Sequence, residues 1–270
     1  MAIKSALGTL LAATTLALGA PAFAGAIRDA SLFTTVLPAN DDGSTGLVSL
    51  GFTANINSTN YTQTYVNNNG NITFNNSLGT FTPAAISGGA FGPIIAPFFA
   101  DVDTRAAGSN PVTYGSATLG GFNVFGVNYI HVGVYNSQPI FNSFQLILTD
   151  RSDIGGGDFD IEFNYDTIVW EAGTASGAPA GGLGGTSALV GYWTSPTSNA
   201  TLPGSLVNGA LLDGGPNSLI AGSLNSNVAG RYIFNVRNGQ IVNPVPEPAS
   251  LALLGIGLAG LGIMRRRKTI

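Results

Sequence analysis

The stretch NSFQLILTDRSDIGGGDFDIEFNYDTIVW, Asn142 to Trp170, decides the fold class. Phe144, Leu146 and Leu148 recur at every second position, and so do Phe159, Ile161, Phe163 and Tyr165. Between the latter stand Asp158, Asp160, Glu162 and Asn164. A period of two is the signature of a strand with one apolar and one polar face. Two such runs joined by a Gly-rich tip predict an antiparallel hairpin whose polar face meets water. The tip, Asp150 to Asp158, carries three Asp and three consecutive Gly. It is similar to a calcium loop in composition, but D-x-x-D-x-x-x-x-D is not the EF-hand spacing of oxygen ligands, so a solvated turn is expected.

The same grammar extends outward. Leu47 to Phe52 reads as a strand. Tyr61, Gln63 and Tyr65 share one face of the next. Asn69-Gly70 is a strong hairpin signal, followed by Ile72 and Phe74 on one face of the return strand. In NVFGVNYIHVGVY, Val127, Tyr129, His131, Gly133 and Tyr135 are expected on one side, with Val124, Gly126, Asn128, Ile130, Val132 and Val134 on the other. His131, the single histidine, is read as a polar or hydrogen-bonded strand residue rather than a ligand or base. Ala188 to Trp193 and Gly230 to Val236 supply further strands. The expectation is an all-β, antiparallel, β-sandwich-like single domain, flanked by an N-terminal signal helix and a C-terminal hydrophobic helix.

Pro93 to Arg105, PIIAPFFADVDTR, is the most distinctive internal stretch. Pro97 interrupts its apolar run, which predicts an edge or irregular segment rather than a central strand. Asp101, Asp103 and Arg105 share one face of an extended chain. Three readings stand: a carboxylate–guanidinium network pinning a bend, a Ca2+ site using Asp101 and Asp103, and a catalytic carboxylate pair.

Both ends of the chain read as addresses rather than fold. Lys4, the apolar run Ala6 to Leu18, and small residues before Ala24 make residues 1–24 a secretory signal peptide with cleavage after Ala24. At the other end, Pro246-Glu247-Pro248 precedes an uncharged apolar run, Ala249 to Met264, and then Arg265, Arg266, Arg267 and Lys268. As a helix the run would be roughly 24 Å long, slightly short of a hydrocarbon core. The basic cluster would stay cytoplasmic. Residues 244–270 resemble the PEP-CTERM signal of Gram-negative bacteria; a plain membrane anchor is the alternative. The resemblance implies recognition of the triplet by exosortase, a membrane-embedded protease. It also implies a transient inner-membrane anchor and delivery to the cell surface or extracellular matrix, after signal peptidase has acted at the other end.

The body, residues 25–243, holds five basic and thirteen acidic residues, a net charge near −8, and no Lys. Such a surface repels phosphate backbones, which excludes nucleic acid as a partner. Without cysteine there are no disulfides, thiol nucleophiles or thiolate metal sites. No G-x-S-x-G elbow and no G-x-x-x-x-G-K-[ST] loop occurs.

Several stretches, in order, resemble the NIDO domain, an extracellular module named from nidogen. They are Asn69 to Phe74; Ile95 to Arg105, with Pro97, Phe98, Asp101, Asp103 and Arg105; Asn142 to Leu148; Tyr165 to Trp170; Ala175 to Gly177; Ala188 to Tyr192; and Gly230 to Phe234. They span about Leu47 to Arg237, and Phe99 stands where the family often has Trp. The resemblance implies a matrix or adhesion role and no catalytic residues. Three functions follow as expectations. The first is a non-catalytic surface protein that associates with cells, exopolysaccharide or biofilm matrix and needs no cofactor. The second is a Ca2+-dependent carbohydrate- or protein-binding module. The third is a secreted hydrolase using paired carboxylates.

Overall fold

The computed structural model describes residues 25–242 apart from Ser137, Ala180 and Gly181. The expected signal peptide with Ala24, the sorting triplet Pro246–Pro248, the apolar run 249–264 and Arg265–Lys268 lie outside the described residues. Among the described residues no helix is long and apolar enough to cross a membrane.

The described residues form thirteen strands in two antiparallel sheets, and helix among them is confined to two 3-10 turns. The first sheet is built from β1 (Thr35–Val36), β6 (Thr113–Leu119), β7 (Phe122–Val134), β8 (Gln138–Asp150), β9 (Phe159–Thr167), β12 (Arg231–Arg237) and β13 (Gln240–Val242), in that spatial order. The second runs β11 (Ser198–Thr201), β10 (Leu189–Ser195), β5 (Ile94–Phe99), β4 (Asn71–Thr73), β3 (Thr59–Asn67) and β2 (Val48–Ile56).

One apolar cluster draws on both sheets. Phe98 of the second sheet packs on Phe144 of the first at 5.2 Å between ring centroids. Tyr192 meets Phe234 at the same distance. Two buried tyrosine hydroxyls join the sheets too: Tyr129 donates to the Asn67 carbonyl at 2.8 Å and Tyr165 to the Pro97 carbonyl at 2.6 Å. Buried hydroxyls need such partners, which fixes how the sheets sit on each other.

The predicted β8–β9 hairpin forms with Leu146 opposite Phe163 and Leu148 opposite Ile161, and the alternating apolar residues enter the core. Its other face departs from expectation. Glu162 and Asn164 are buried, not solvated. The N-terminal segment crosses this face: Arg28 bonds Glu162 through Nε and Nη2 at 2.8 and 3.1 Å, and Arg231 donates to Asn164 and to the Ala26 carbonyl. Further along, the Phe33 ring fills the space left by Gly126, where a Cβ would overlap it. A polar face becomes interior when its charges find partners.

His131 corrects the alternation of β7. It adopts a left-handed φ of 59°, where the β7–β8 register slips between Ile130 and Val132. This bulge shifts the phase by one residue. Val132 and Val134 therefore join Val127 and Tyr129 in the core rather than facing away. His131 itself is exposed and stacks on Phe141 at 4.1 Å.

Pro97 supplies a second correction. Its segment is neither edge nor irregular: β5 lies between β4 and β10, and all six of its residues are buried. The proline is tolerated because the β5–β10 register slips beside it, between Leu189 and Gly191, and because β4 pairs only with Ile94 and Ile95. No ladder bond is then asked of the missing N–H. Both faces of β5 are covered. Ile95 and Phe98 enter the main core, while Ile94, Ala96 and Phe99 meet Ile86, Leu78 and Phe91 of the preceding loop.

Candidate functional site

The Asn69-Gly70 hairpin forms between β3 and β4, with Asn67 opposite Asn71 and three loop residues, Asn68, Asn69 and Gly70. Gly70 takes the left-handed position, φ 74°, that closes such a loop. Hairpin tips normally meet water, but this one is buried. It docks on the chain leaving β5. The Gly70 carbonyl accepts from Phe98 N–H at 3.2 Å, the Asn69 carbonyl from Ala100 N–H at 3.3 Å, and Asn69 Oδ1 from Val102 N–H at 3.0 Å. Two of the family-like stretches, Asn69 to Phe74 and Ile95 to Arg105, are therefore one structural unit.

A third segment completes it. Asn68 Nδ2 donates to the carbonyls of Asp41 and Val102, and Asn69 Nδ2 to Asp42 Oδ1 at 2.8 Å. Asn40 N–H donates to Thr104 Oγ1 at 2.9 Å, and Thr104 N–H to the Asn40 carbonyl at 3.0 Å. The turn-rich Pro38–Gly43 stretch is thereby fastened beside Asp101 to Arg105.

Asp103 receives Arg105 through N–H, Nε and Nη2 at 2.9, 2.9 and 2.8 Å. Arg105 Nη2 also reaches Asp41 Oδ2 at 2.8 Å. This is the expected carboxylate–guanidinium network. Asp101 takes no part in its ion pairs. Instead one carboxylate oxygen from each of Asp41, Asp42 and Asp101 lies within 4.8 Å of the others. The predicted Asp101–Asp103 pairing is thus divided, with Asp103 held by Arg105 and Asp101 facing Asp41 and Asp42. The sequence carried one sign of this, the Asp41-Asp42 doublet in a turn. Nothing in it tied that turn to Asp101.

The electrostatics are relieved only in part, by Arg105 at Asp41. Asp101 is 1 % exposed, and its Oδ2 has no hydrogen-bond partner among the described residues. Asp41 Oδ1 is also buried without one. Burial, then the charges of Asp41, Asp42 and Asp103, push the Asp101 carboxyl up to about 7, against the pull of the Ser176 main-chain N–H. Burial, then Asp103 and Asp42, raise Asp41 to about 6. Asp101 also abuts Gly173, where a Cβ would overlap its carboxylate, so the Thr174–Ser176 turn closes the site from that side.

Other candidate groups are engaged structurally. Asp160 pairs with Arg151 and Arg237 at 2.8 and 2.7 Å. Asp158 Oδ1 accepts Asn238 N–H at 2.8 Å. Glu171, which the sequence did not single out, is fully buried and accepts Ser187 Oγ and the N–H groups of Gly209 and Leu211.

Comparison with known proteins gives the chain a family. Residues 24–208 match the family model described as NIDO related, and residues 244–268 match the PEP-CTERM protein-sorting motif, which implies processing by exosortase. Chicken alpha-tectorin is 34 % identical over 252 residues, covering 82 % of this chain and 11 % of the relative. Human alpha-tectorin is 34 % identical over 240 residues, covering 78 % and 10 %. The chain thus spans about a tenth of the length of these relatives. No solved structure matches it significantly. With the buried Asn-Gly tip, the Ala-Pro-Phe-Phe-Ala-Asp-Val-Asp-Thr-Arg strand exit and a model match over residues 24–208, the chain belongs to the NIDO-related family.

Proposed function

We propose that this is an exported, non-catalytic surface or matrix protein whose NIDO-related domain associates cells with one another or with exopolysaccharide in a biofilm. The observation that carries the reading is the union in one chain of an extracellular-type domain at 24–208 and a sorting motif at 244–268. Delivery outside the cell and a compact, acidic, cysteine-free β domain suit a role performed by a surface. The carboxylates on the strand faces support a non-catalytic reading. Glu162 pairs with Arg28 and Arg231, and Asp160 with Arg151 and Arg237, so both are used to hold strands. The test is a deletion strain of the producing bacterium, with and without complementation, scored for attachment and matrix retention. In parallel, purified protein is titrated with the producer's exopolysaccharide. Reduced attachment restored by complementation supports the proposal. Unchanged attachment together with no polysaccharide binding overturns it.

A further inference from the structure

We propose that Asp41, Asp42 and Asp101 form a Ca2+ site that fastens the Pro38–Gly43 loop to the exit of β5. Their three carboxylate oxygens already lie within 4.8 Å of one another. Proximity of acids alone would mean little, since acidic side chains often gather on surfaces. Here the cluster extends into the interior. Asp101 is 1 % exposed and among the described residues its Oδ2 meets no donor, and a second orphan oxygen, Asp41 Oδ1, is buried as well. A buried carboxylate without a donor is costly, and the usual remedies are a counter-charge, a metal or a proton.

The counter-charge is spent elsewhere. Arg105 grips Asp103 in a fork and touches Asp41 only through Oδ2. Among the described residues, neither Asp42 nor Asp101 forms an ion pair. Asn69 Nδ2 holds Asp42 Oδ1 toward the cluster at 2.8 Å. The loops are bound in place independently through Asn68, Asn40 and Thr104, so the donors are held before any ion arrives. All the donors are oxygens, which selects a hard cation. Irregular loops and a mixed exposed and buried ligand set suit Ca2+ better than Mg2+, which demands near-ideal octahedral geometry. Ca2+ takes six to eight oxygens, so main-chain carbonyls and water would complete the shell. A site of this kind belongs with extracellular modules, whose dissociation constants are roughly 0.1–1 mM. A proton on Asp101, whose carboxyl is raised to about 7, is the competing remedy and is decided by the same experiment.

The full chain, kept soluble in detergent, is titrated calorimetrically with CaCl2 and melted in EDTA, CaCl2, MgCl2 and NaCl at matched ionic strength, at neutral pH. A saturable Ca2+ heat and a melting rise of roughly 5–10 °C near hundredfold saturation are expected. Mg2+ should give less, and NaCl none. Asp101→Asn should abolish the Ca2+ shift while melting in EDTA no lower than the parent, because it removes the like charge and keeps the shape. Should that variant fold poorly, Asp42→Asn, at an exposed position, should cut the shift on its own. Asp153→Asn, in the separate acidic tip, should leave it intact. No Ca2+ heat with an unchanged melting temperature, or equal shifts with CaCl2 and NaCl, overturns the site. A full Ca2+ shift in both Asp101→Asn and Asp42→Asn overturns its location.

Discussion

Gly70 and Phe98 are in contact through main chain alone. A Cβ on Gly70 would overlap the Phe98 carbonyl oxygen, and the Gly70 carbonyl accepts the Phe98 N–H. The hairpin tip therefore docks on β5 at a distance that only glycine permits. Gly70→Ala carries two costs, a left-handed φ of 74° and a collision with backbone that cannot rotate away. We expect about 3–5 kcal/mol of destabilisation by chemical denaturation. Gly209→Ala, at φ 75° with nothing within 4 Å, isolates the first cost and should lose only about 1 kcal/mol. Equal losses in the two would show that the docking contact carries no energy.

Asn69, like Asn68, bonds both neighbours of the tip, in its case Val102 N–H and Asp42 Oδ1. Asn69→Ala should cost about 2–4 kcal/mol, because it strands a buried N–H and frees a carboxylate already crowded by like charge. A loss below about 1 kcal/mol in a denaturant titration would mean that the three segments are joined by other contacts.

The covered polar face of β9 makes a separate prediction. Glu162 lies between Arg28 and Arg231, at 2.8 and 3.2 Å. Glu162→Ala should cost about 2–4 kcal/mol, toward the value for breaking a buried pair, since Arg231 would keep its charge inside. A value typical of exposed pairs, below about 1 kcal/mol, would restore the view of a solvated face.

Without Ca2+, stability should depend on pH through Asp101 and Asp41. Their folded pKa values, about 7 and about 6, lie above the ordinary 3.8. The folded state therefore holds their protons more tightly than the unfolded state. The resulting stabilisation is full below about pH 4 and is lost as pH rises through 6 to 7. The groups responsible face Asp42, Asp103 and Arg105 as well as each other. In EDTA the melting temperature of the parent should fall over this window more than that of Asp101→Asn. Parallel curves would remove Asp101 as the cause.

Mass spectrometry of protein from cells and from culture matrix should find a chain that begins at Gly25 and ends near Pro246. An intact tail as the stable form would make residues 249–264 a lasting anchor rather than a sorting handle.

Read alone, the sequence determined what short-range physics controls. Period-two alternation in Phe159–Tyr165 gave an antiparallel strand and its core face, Asn69-Gly70 gave a hairpin, and residues 244–268 gave a sorting motif. Each rests on neighbours along the chain. The tertiary structure decided what depends on residues far apart. Pro97 sits in a central strand because β4 is short and β10 slips register beside it, facts set about 25 and about 93 positions away. His131 reverses the expected phase of Val132 and Val134 because one left-handed residue absorbs a bulge that alternation cannot display. Asp101 faces Asp41 and Asp42 rather than Asp103, because a buried hairpin tip binds two loops that the sequence keeps 60 residues apart. A repeat of two says which side of a strand a residue occupies. Only the packing of one segment on another says what waits there.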